Sequence, residues 1–311
     1  MVANKGKLVA VLGPTCTGKS ELGERLAEDF GGEIVNADSM QVYRNFDLGT
    51  AKPTHESQAR TRHHLIDIVE PSDSFDVARF KDLADDAIRD IWSRGRTPIV
   101  VGGSGLYLRV LFHGISPIPS DEKVRADLRE RYLEKPDELY EELRRVDPLY
   151  ASRIGHRDRV RVMRALEVLY TSGKIMSQWE EEHGFREERY EVCRIGLTRE
   201  RVELYQRINT RVETMLAAGW VDEVRALLAK GNDPSCKPFS SIGYKEILLY
   251  LNGSLGYADM VTRIKQETRR YAKRQLTWFS KDHKGSISWF HYPEDRTDIW
   301  GQVARFLRTM N

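Results

Sequence analysis

This sequence of 311 residues has few cysteines, no long apolar run and a small net charge. Its three cysteines (Cys16, Cys193 and Cys236) are odd in number and far apart, which argues against a disulfide framework and against a paired-cysteine metal site. No apolar run approaches the roughly 20 residues that a membrane-spanning helix needs. The amino terminus also lacks the apolar region of a secretory signal. We therefore expect a cytoplasmic protein with no membrane partner.

The net charge of +2 is close to zero, so charge alone neither requires nor excludes a nucleic-acid partner. The basic residues are, however, unevenly distributed. Five arginines lie between residues 153 and 164, and six basic residues lie between 263 and 274. Such clusters favour a polyanionic partner, although a charged helix face is more often simply solvated. The clusters do not distinguish RNA from DNA.

Short apolar segments alternate with helical patterns in the first third of the chain. This alternation predicts an α/β fold, in which helices flank a parallel sheet and ligands bind at the carboxyl ends of its strands. The strands are predicted at residues 7–12, 33–37, 64–69, 98–101 and 190–197, with a candidate edge strand at 287–291. The helices are predicted at residues 20–30, 75–94 (capped by Ser74), 199–218, 222–230 and 257–279.

The middle of the chain has a different character, because its sequence is charged and helical and contains no strand pattern. We interpret residues 121–189 as an all-helical domain inserted into a core formed by residues 1–120 and 190–311. A chain of this length has room for about two domains, at roughly 150 residues each.

The sequence GPTCTGKS, between the first predicted strand and helix, fits the phosphate-loop pattern G-x-x-x-x-G-K-[ST]. Glycines let the backbone amides turn toward phosphate oxygens, and the helix amino terminus adds its dipole. The lysine neutralises charge, and the final hydroxyl can bind Mg²⁺. The loop predicts a bound di- or triphosphate and a Mg²⁺ cofactor, with Gly13, Pro14, Thr15, Cys16, Thr17, Gly18 and Lys19 around the phosphates and Ser20 on the metal.

Asp38 follows the second predicted strand, on the same sheet edge as the phosphate loop. It could accept a proton from a group facing the phosphates, or it could simply cap a turn. Asp67 lies within the predicted strand 64–69, where a structural hydrogen bond is the better interpretation than a metal-binding role. Because strand 98–101 ends in glycines and not in an acid, an ordinary ATPase is disfavoured. Arg211 is either an anion contact or part of a surface ion pair with Glu200 or Glu203.

Six segments, in this order along the chain, resemble the bacterial tRNA dimethylallyltransferases. Besides GPTCTGKS they are DSMQVYRNFDLGTAKP (38–53), VGGSGLYL (101–108), RVMRALEVLYTSGK (161–174), SIGYKE (241–246) and RRYAKRQLTWF (269–279). The resemblance implies a phosphate loop that binds dimethylallyl diphosphate, within a fold like that of the P-loop NTPases. It implies that Asp38 accepts a proton from an adenosine amine, that Ser104 binds near the same centre, and that Lys19 and Arg211 stabilise the leaving pyrophosphate.

The resemblance also implies that tRNA is the partner and that the adenosine 3′ of the anticodon is flipped into a channel. A zinc site is not expected, because the carboxyl-terminal region has no paired cysteines and histidines. A monomer is expected. The tRNA contacts of the family correspond here to Asp38, Ser39, Met40, Gln41, Ser104, Arg125, Val160, Arg161, Val162, Met163, Arg164, Ser241, Ile242, Gly243, Tyr244, Lys245 and Glu246.

Two other functions share parts of this pattern. A small-molecule kinase would also have a phosphate loop, an acid after the second strand and a helical lid. An RNA-binding NTPase would have the loop and the basic clusters without group transfer to RNA.

Overall fold

The computed structural model describes residues 6–185, 187–282 and 286–309. The chain forms two compact units, Met1–Phe112 with Glu188–Asn311 and, separately, His113–Glu187. The boundaries predicted from sequence, 121 and 189, lie inside the start of the second unit and just beyond its end.

Within the described residues, the first unit contains a sheet of six strands. In chain order they are β1 (Lys7–Leu12), β2 (Gly32–Ala37), β3 (His63–His64), β4 (Thr97–Gly102), β5 (Glu191–Leu197) and β6 (Ser288–Phe290). All neighbouring pairs are parallel, in the order β3-β2-β4-β1-β5-β6. The central strands are buried on both faces, which explains their nearly continuous apolar sequences.

Helices cover both faces of this sheet and build the second unit. In chain order they are α1 (Lys19–Asp29), α2 (His55–Arg60), α3 (Val77–Ser93), α4 (Gly105–His113), α5 (Glu122–Glu134), α6 (Pro136–Val146), α7 (Pro148–Ala151), α8 (Arg159–Ser172), α9 (Met176–His183), α10 (Arg201–Ala217), α11 (Trp220–Ala229), α12 (Tyr244–Leu251), α13 (Tyr257–Asp282) and α14 (Arg296–Arg308). A 3₁₀-helix, Lys237–Ser240, precedes α12.

The sheet has a hydrophobic core on each face. One core packs Leu22 and Leu26 of α1 with Ile299 and Val303 of α14. The other is larger and includes residues of α3, α4, α11, α12 and α13. The predicted fold class, helices flanking a parallel sheet with a helical insertion, is confirmed.

Helices α5 to α9 of the second unit pack around their own core. It contains Leu128, Leu143 and Leu166, each at most 1% exposed. This region therefore buries apolar surface of its own, as the predicted insertion requires.

Some predicted elements were wrong in extent. The strand predicted at 64–69 is only His63–His64, because Leu65 and Asp67 have φ angles of 63° and 55°, outside the strand region. Asp67 instead pairs with Lys52, at 2.5 Å. Asp76, not Ser74, caps α3, and its side chain accepts a hydrogen bond from the Arg79 amide at 2.9 Å. Helices α2, α4, α12 and α14 were not predicted.

The sheet order locates the place where a ligand should bind. Strand β1 lies between β4 and β5; the connection that leaves β1 runs toward β2, whereas the connection that leaves its neighbour β4 runs in the opposite direction, toward β5. In sheets of this type the crevice at the carboxyl end of such a strand is the usual ligand site. The loops after β1, β2 and β4 meet at this edge. None of the helices in the described part of the chain is long and apolar enough to cross a membrane.

Candidate active site

The phosphate loop connects β1 to α1 and depends on its two motif glycines. Gly13 and Gly18 have φ angles of 134° and 101°, which side chains other than glycine rarely adopt. A Cβ atom on Gly13 would also lie 2.4 Å from the Leu197 carbonyl oxygen of β5. The buried Thr17 hydroxyl donates to the Pro14 carbonyl at 2.9 Å. These contacts keep the loop curled above the amino terminus of α1.

Lys19 lies half-buried at the start of α1. Its ammonium group donates to the Pro14 carbonyl oxygen at 2.5 Å. Burial, followed by the positive charge of Arg211, lowers the pKa of Lys19 to about 8, against the opposing effects of Cys16 and Asp38. A buried lysine whose pKa is lowered this far has too little negative charge around it to offset its burial. An anion bound in the loop would supply that charge.

Arg211 reaches the phosphate loop from α10. Its Nη1 atom lies 3.5 Å from Thr15 Oγ1 and 3.7 Å from Cys16 Sγ. Glu203, proposed as a surface partner, instead pairs with Arg199 at 2.7 Å and with Arg207 at 2.9 Å. The structure therefore places two cations, Arg211 and Lys19, beside the same loop.

Asp38 follows β2 and does two things at once. Its Oδ1 atom accepts hydrogen bonds from the backbone amides of Met40, at 2.8 Å, and Gln41, at 3.4 Å. The turn interpretation is thus correct for one carboxylate oxygen. The same half-buried side chain also lines two cavities, so the carboxylate remains close to whatever binds there.

Ser104 lies after β4, at the start of α4. Its side chain forms a hydrogen bond with Tyr271 of α13, which also bonds to Gln275. Burial first, and then the charge of Asp38, raise the pKa of Tyr271, while these two hydrogen bonds oppose the shift. Tyr271 therefore stays a neutral phenol near Asp38 and orients the Ser104 hydroxyl.

Two adjoining cavities meet around Asp38. The inner cavity, about 300 Å³, is lined by phosphate-loop residues, including Lys19 and Ser20, and by Gly103. The outer cavity, about 440 Å³, is lined by Met40, Met215, Trp220 and others. Both linings include Thr15, Asp38, Thr50, Arg211 and Tyr271. An anion in the inner cavity and a flat, partly apolar group in the outer one would therefore come together at Asp38.

The oxygen-bearing side chains around the phosphate loop suit a magnesium ion. Ser20 is exposed at the start of α1 and lines the inner cavity together with Asp38 and Asn36, all of them oxygen donors. In the described part of the chain, no group of three or more histidine, cysteine or acidic residues could hold a metal ion. Mg²⁺ needs no such cage, because it is commonly bound through one or two protein oxygens plus phosphate and water.

The segment 241–246 divides into lining and supporting residues. Ser241, Ile242 and Lys245 line the outer cavity. Tyr244 is fully buried, and its hydroxyl donates to Glu223 at 2.6 Å. Glu246 accepts a hydrogen bond from the Gly243 amide at 2.7 Å, and a Cβ on Gly243 would collide with Trp220. Of the predicted tRNA contacts here, Gly243, Tyr244 and Glu246 hold the turn.

In the second unit, too, some of the predicted tRNA contacts are exposed and others are buried or paired within the protein. Val160 and Arg161 are exposed, whereas Val162 is completely buried in the helical core and Met163 packs against it. Arg164 and Arg125 pair with the nearly buried Glu167 at 2.9 and 3.1 Å. Burial disfavours the charge on Glu167, but the hydrogen bonds from Arg164 and Arg125 produce a net lowering of its pKa. Only the exposed residues of this stretch are available to a partner through their side chains.

The basic residues of α13 point in several directions. Arg269 donates to Asn209 of α10 at 2.7 Å, and Arg270 pairs with Glu267 at 2.6 Å. Lys265 pairs with Glu213. Arg274 lines the outer cavity. The cluster is thus less uniform than its sequence indicated, and Arg274 is its contribution to the site.

Sequence reasoning missed Thr50, Tyr271 and Gln275 as lining residues. Tyr271 and Gln275 are four residues apart and so share a face of α13. That spacing was visible, but the hydrogen-bond partners of Gln275, Thr15 and Gly103, lie far away in the chain.

The chain is similar to proteins of known name over nearly its whole length. A family model described as IPP transferase matches residues 41–282. The tRNA dimethylallyltransferase 2 of Geotalea daltonii is 49% identical over 304 residues, covering 97% of this chain and 93% of that protein. The tRNA dimethylallyltransferase of Geobacter sulfurreducens is 49% identical over 305 residues, covering 97% of both.

Solved structures give the same result. The full-length tRNA isopentenylpyrophosphate transferase of Bacillus halodurans superposes with a TM-score of 0.73 at 39% identity, covering 98% of this chain and 97% of that one. A eukaryotic dimethylallyltransferase acting on tRNA gives a TM-score of 0.81 at 30% identity, covering 96% of this chain and 80% of that one.

Proposed function

The chain belongs to the IPP transferase family, and we propose that it transfers a dimethylallyl group from dimethylallyl diphosphate to the N6 amine of an adenosine in tRNA. The family predicted from the six sequence segments is confirmed. The kinase alternative is not supported by these relatives, whose names are those of tRNA prenyltransferases.

The observation that carries the proposal is the meeting of the two cavities at Asp38. A diphosphate in the inner cavity would bind beside Lys19, Arg211 and the amino terminus of α1. An adenine in the outer cavity would bring its amine to the same junction. Reactants that are held in this way react as if at very high local concentration.

The reaction is a displacement at C1 of the prenyl group. The N6 amine of adenine attacks C1, and the C1–O bond breaks with its electron pair going to pyrophosphate. Asp38 accepts the proton that N6 loses. Lys19 and Arg211 stabilise the charge that develops on the leaving oxygen, where preorganised charges are most effective. Ser104, oriented by Tyr271, would hydrogen-bond near the same nitrogen.

Magnesium would be held by Ser20 and by the diphosphate itself. When bound, it neutralises charge on the phosphates. The loop residues do the remaining work, since Lys19 and the amides at the start of α1 orient the diphosphate.

An adenine stacked in an anticodon loop cannot reach the outer cavity without leaving the stack, so the base must be flipped. Ser39, Met40, Gln41, Ser241, Ile242, Lys245 and Arg274 lie on or next to the path that the base would take. In the second unit, Arg161 and Val160 are the exposed candidates for contact with the tRNA backbone. We further propose that the protein acts as a monomer in the cytoplasm, which light scattering of the purified protein can test for the oligomeric state.

Mass analysis of tRNA after incubation with the protein, Mg²⁺ and dimethylallyl diphosphate tests the proposal. We expect the mass of one added dimethylallyl group, on the adenosine that follows the anticodon. Label transfer from γ-labelled ATP to a nucleoside, with no prenyl transfer, would instead establish a kinase. Binding of tRNA without any covalent change would establish an RNA-binding NTPase.

A further inference from the structure

We propose that Gln275 is a positioning residue for this reaction, because its side-chain amide ties the phosphate loop to the loop after β4. Its Oε1 atom accepts a hydrogen bond from the Thr15 amide at 2.9 Å. Its Nε2 atom donates to the Gly103 carbonyl at 3.0 Å. Both polar ends of one side chain are therefore used, each on a different loop of the site. This inference rests on the proposed function.

The surroundings of Gln275 are built for this contact. Its side chain is buried, at 6% exposed. A Cβ on Gly103 would lie 2.2 Å from the Gln275 nitrogen and 3.1 Å from the Gly13 carbonyl oxygen. Glycine at 103 therefore allows the Gln275 amide to approach. The phosphate loop, the loop after β4 and α13 pack directly against one another.

The helix that carries Gln275, α13, packs against α10, and this packing fixes the position of the Gln275 side-chain amide. Ala272 and Leu276, on either side along the helix, pack with Leu204 and Ile208 of α10. The same helix α10 carries Arg211. The side chain that fixes the loop and the cation that meets the leaving group therefore rest on one small apolar cluster.

The tie has a chemical consequence for the loop. Because the Thr15 amide donates to Gln275, it is not available to a phosphate oxygen, and the later amides of the loop must do that work. Through Gly103 the same tie sets the position of the next residue, Ser104, which Tyr271 contacts from the same face of α13. Gln275 thus fixes the spacing between the diphosphate side and the amine side of the reaction.

The test replaces Gln275 with methionine, which has a similar shape but forms neither hydrogen bond. Gln275→Asn keeps the amide but is one methylene too short to reach both loops. Gln302→Met is the matched control, because Gln302 also bridges two elements, donating to Ser288 Oγ at 3.0 Å, but outside both cavities. The readouts are kcat and KM for dimethylallyl diphosphate, the affinity for inorganic pyrophosphate with Mg²⁺ by calorimetry, and the melting temperature.

We expect both Gln275 variants to lose about 100-fold in kcat/KM, since small displacements of reacting groups have effects of this size. Pyrophosphate should bind about tenfold more weakly. Gln302→Met should change only the melting temperature. Hydrogen exchange of a peptide containing residues 13–18 should increase in Gln275→Met, because the Thr15 amide loses its acceptor.

The inference would be overturned if Gln275→Met kept wild-type turnover and wild-type pyrophosphate affinity. It would also be overturned if Gln302→Met lost as much turnover as Gln275→Met while the two variants had equal melting temperatures. If Gln275→Met does not fold, Gln275→Asn is assayed in its place, because it keeps an uncharged amide that cannot reach both loops. The inference then requires reduced turnover, and unchanged turnover rejects it. A wild-type protein that makes no prenylated tRNA would instead refute the proposed function.

Discussion

The site around the phosphate loop and the arginine-rich helix α8 were both singled out by their charges, yet the structure uses those charges in different ways. At the loop, Lys19 and Arg211 lie beside a cavity, and burial, followed by the positive charge of Arg211, lowers the pKa of Lys19. On α8, Arg164 is satisfied by the buried Glu167. A charge that lacks a partner inside a cavity indicates a ligand, whereas a charge with a buried partner indicates a role in stability.

The first prediction tests the cavity side of this comparison. Asp38→Asn keeps an oxygen that can accept from the Met40 amide but removes the base, so turnover should fall by about 10²–10⁴-fold. Binding of tRNA, measured by filter retention, should remain. Intact turnover would remove Asp38 from the mechanism and leave it only as a turn residue.

The second prediction compares two arginines on one helix. Arg211→Met should lower kcat by about 10²–10³-fold, the usual cost of removing a group that stabilises developing charge. Arg207→Met, one turn away on α10, should retain wild-type turnover because Arg207 pairs with Glu203. Steady-state kinetics distinguishes them, and similar losses in both would show that the pairing with Glu203 does not exclude Arg207 from the reaction.

The third prediction concerns pH. Lys19, with a pKa of about 8, is charged below that value and neutral above it. Pyrophosphate prefers the charged form, so its affinity should fall about fivefold from pH 8 to pH 9, as Lys19 loses its proton. Calorimetry across this range checks the change. Lys19→Met should bind weakly at every pH, and an unchanged slope in that variant would assign the effect to another group.

The fourth and smallest effect lies in the helical unit. Arg164→Ala leaves the buried Glu167 with one fewer partner and should cost about 1–3 kcal/mol of unfolding free energy. Arg161→Ala breaks only an exposed pair with Asp158 and should cost less than about 1 kcal/mol. Urea titrations measure both.

The two variants should also differ in tRNA binding. Arg161→Ala should reduce the salt slope of binding by about one. Arg164→Ala should leave that slope unchanged, and a change of slope there would mean that Arg164 contacts phosphate directly.

Sequence predicted the parts of the site that are local in the chain. The phosphate loop and Asp38 follow strands, and their positions could be read from spacing. The strand predicted at 64–69 was wrong in extent because Leu65 and Asp67 have positive φ angles, and apolar patterning contains neither those angles nor the pairing of Asp67 with Lys52. The tie from Gln275 to Thr15 was missed because its partners are separated by 260 residues. Val162 was named as a contact because a motif does not record which side of a helix is buried.

The close packing of Gly103 against Gln275 also constrains how this protein can change by mutation. A side chain at position 103 would clash with Gln275 unless position 275 carried a smaller residue in the same protein. The Gly13 carbonyl would still limit the size of the side chain at 103. A smaller residue at 275 alone removes the hydrogen bonds that tie the two loops together. We expect positions 13, 103 and 275 to be inherited together among functional descendants, and random libraries to recover changes at 103 only when 275 has changed first.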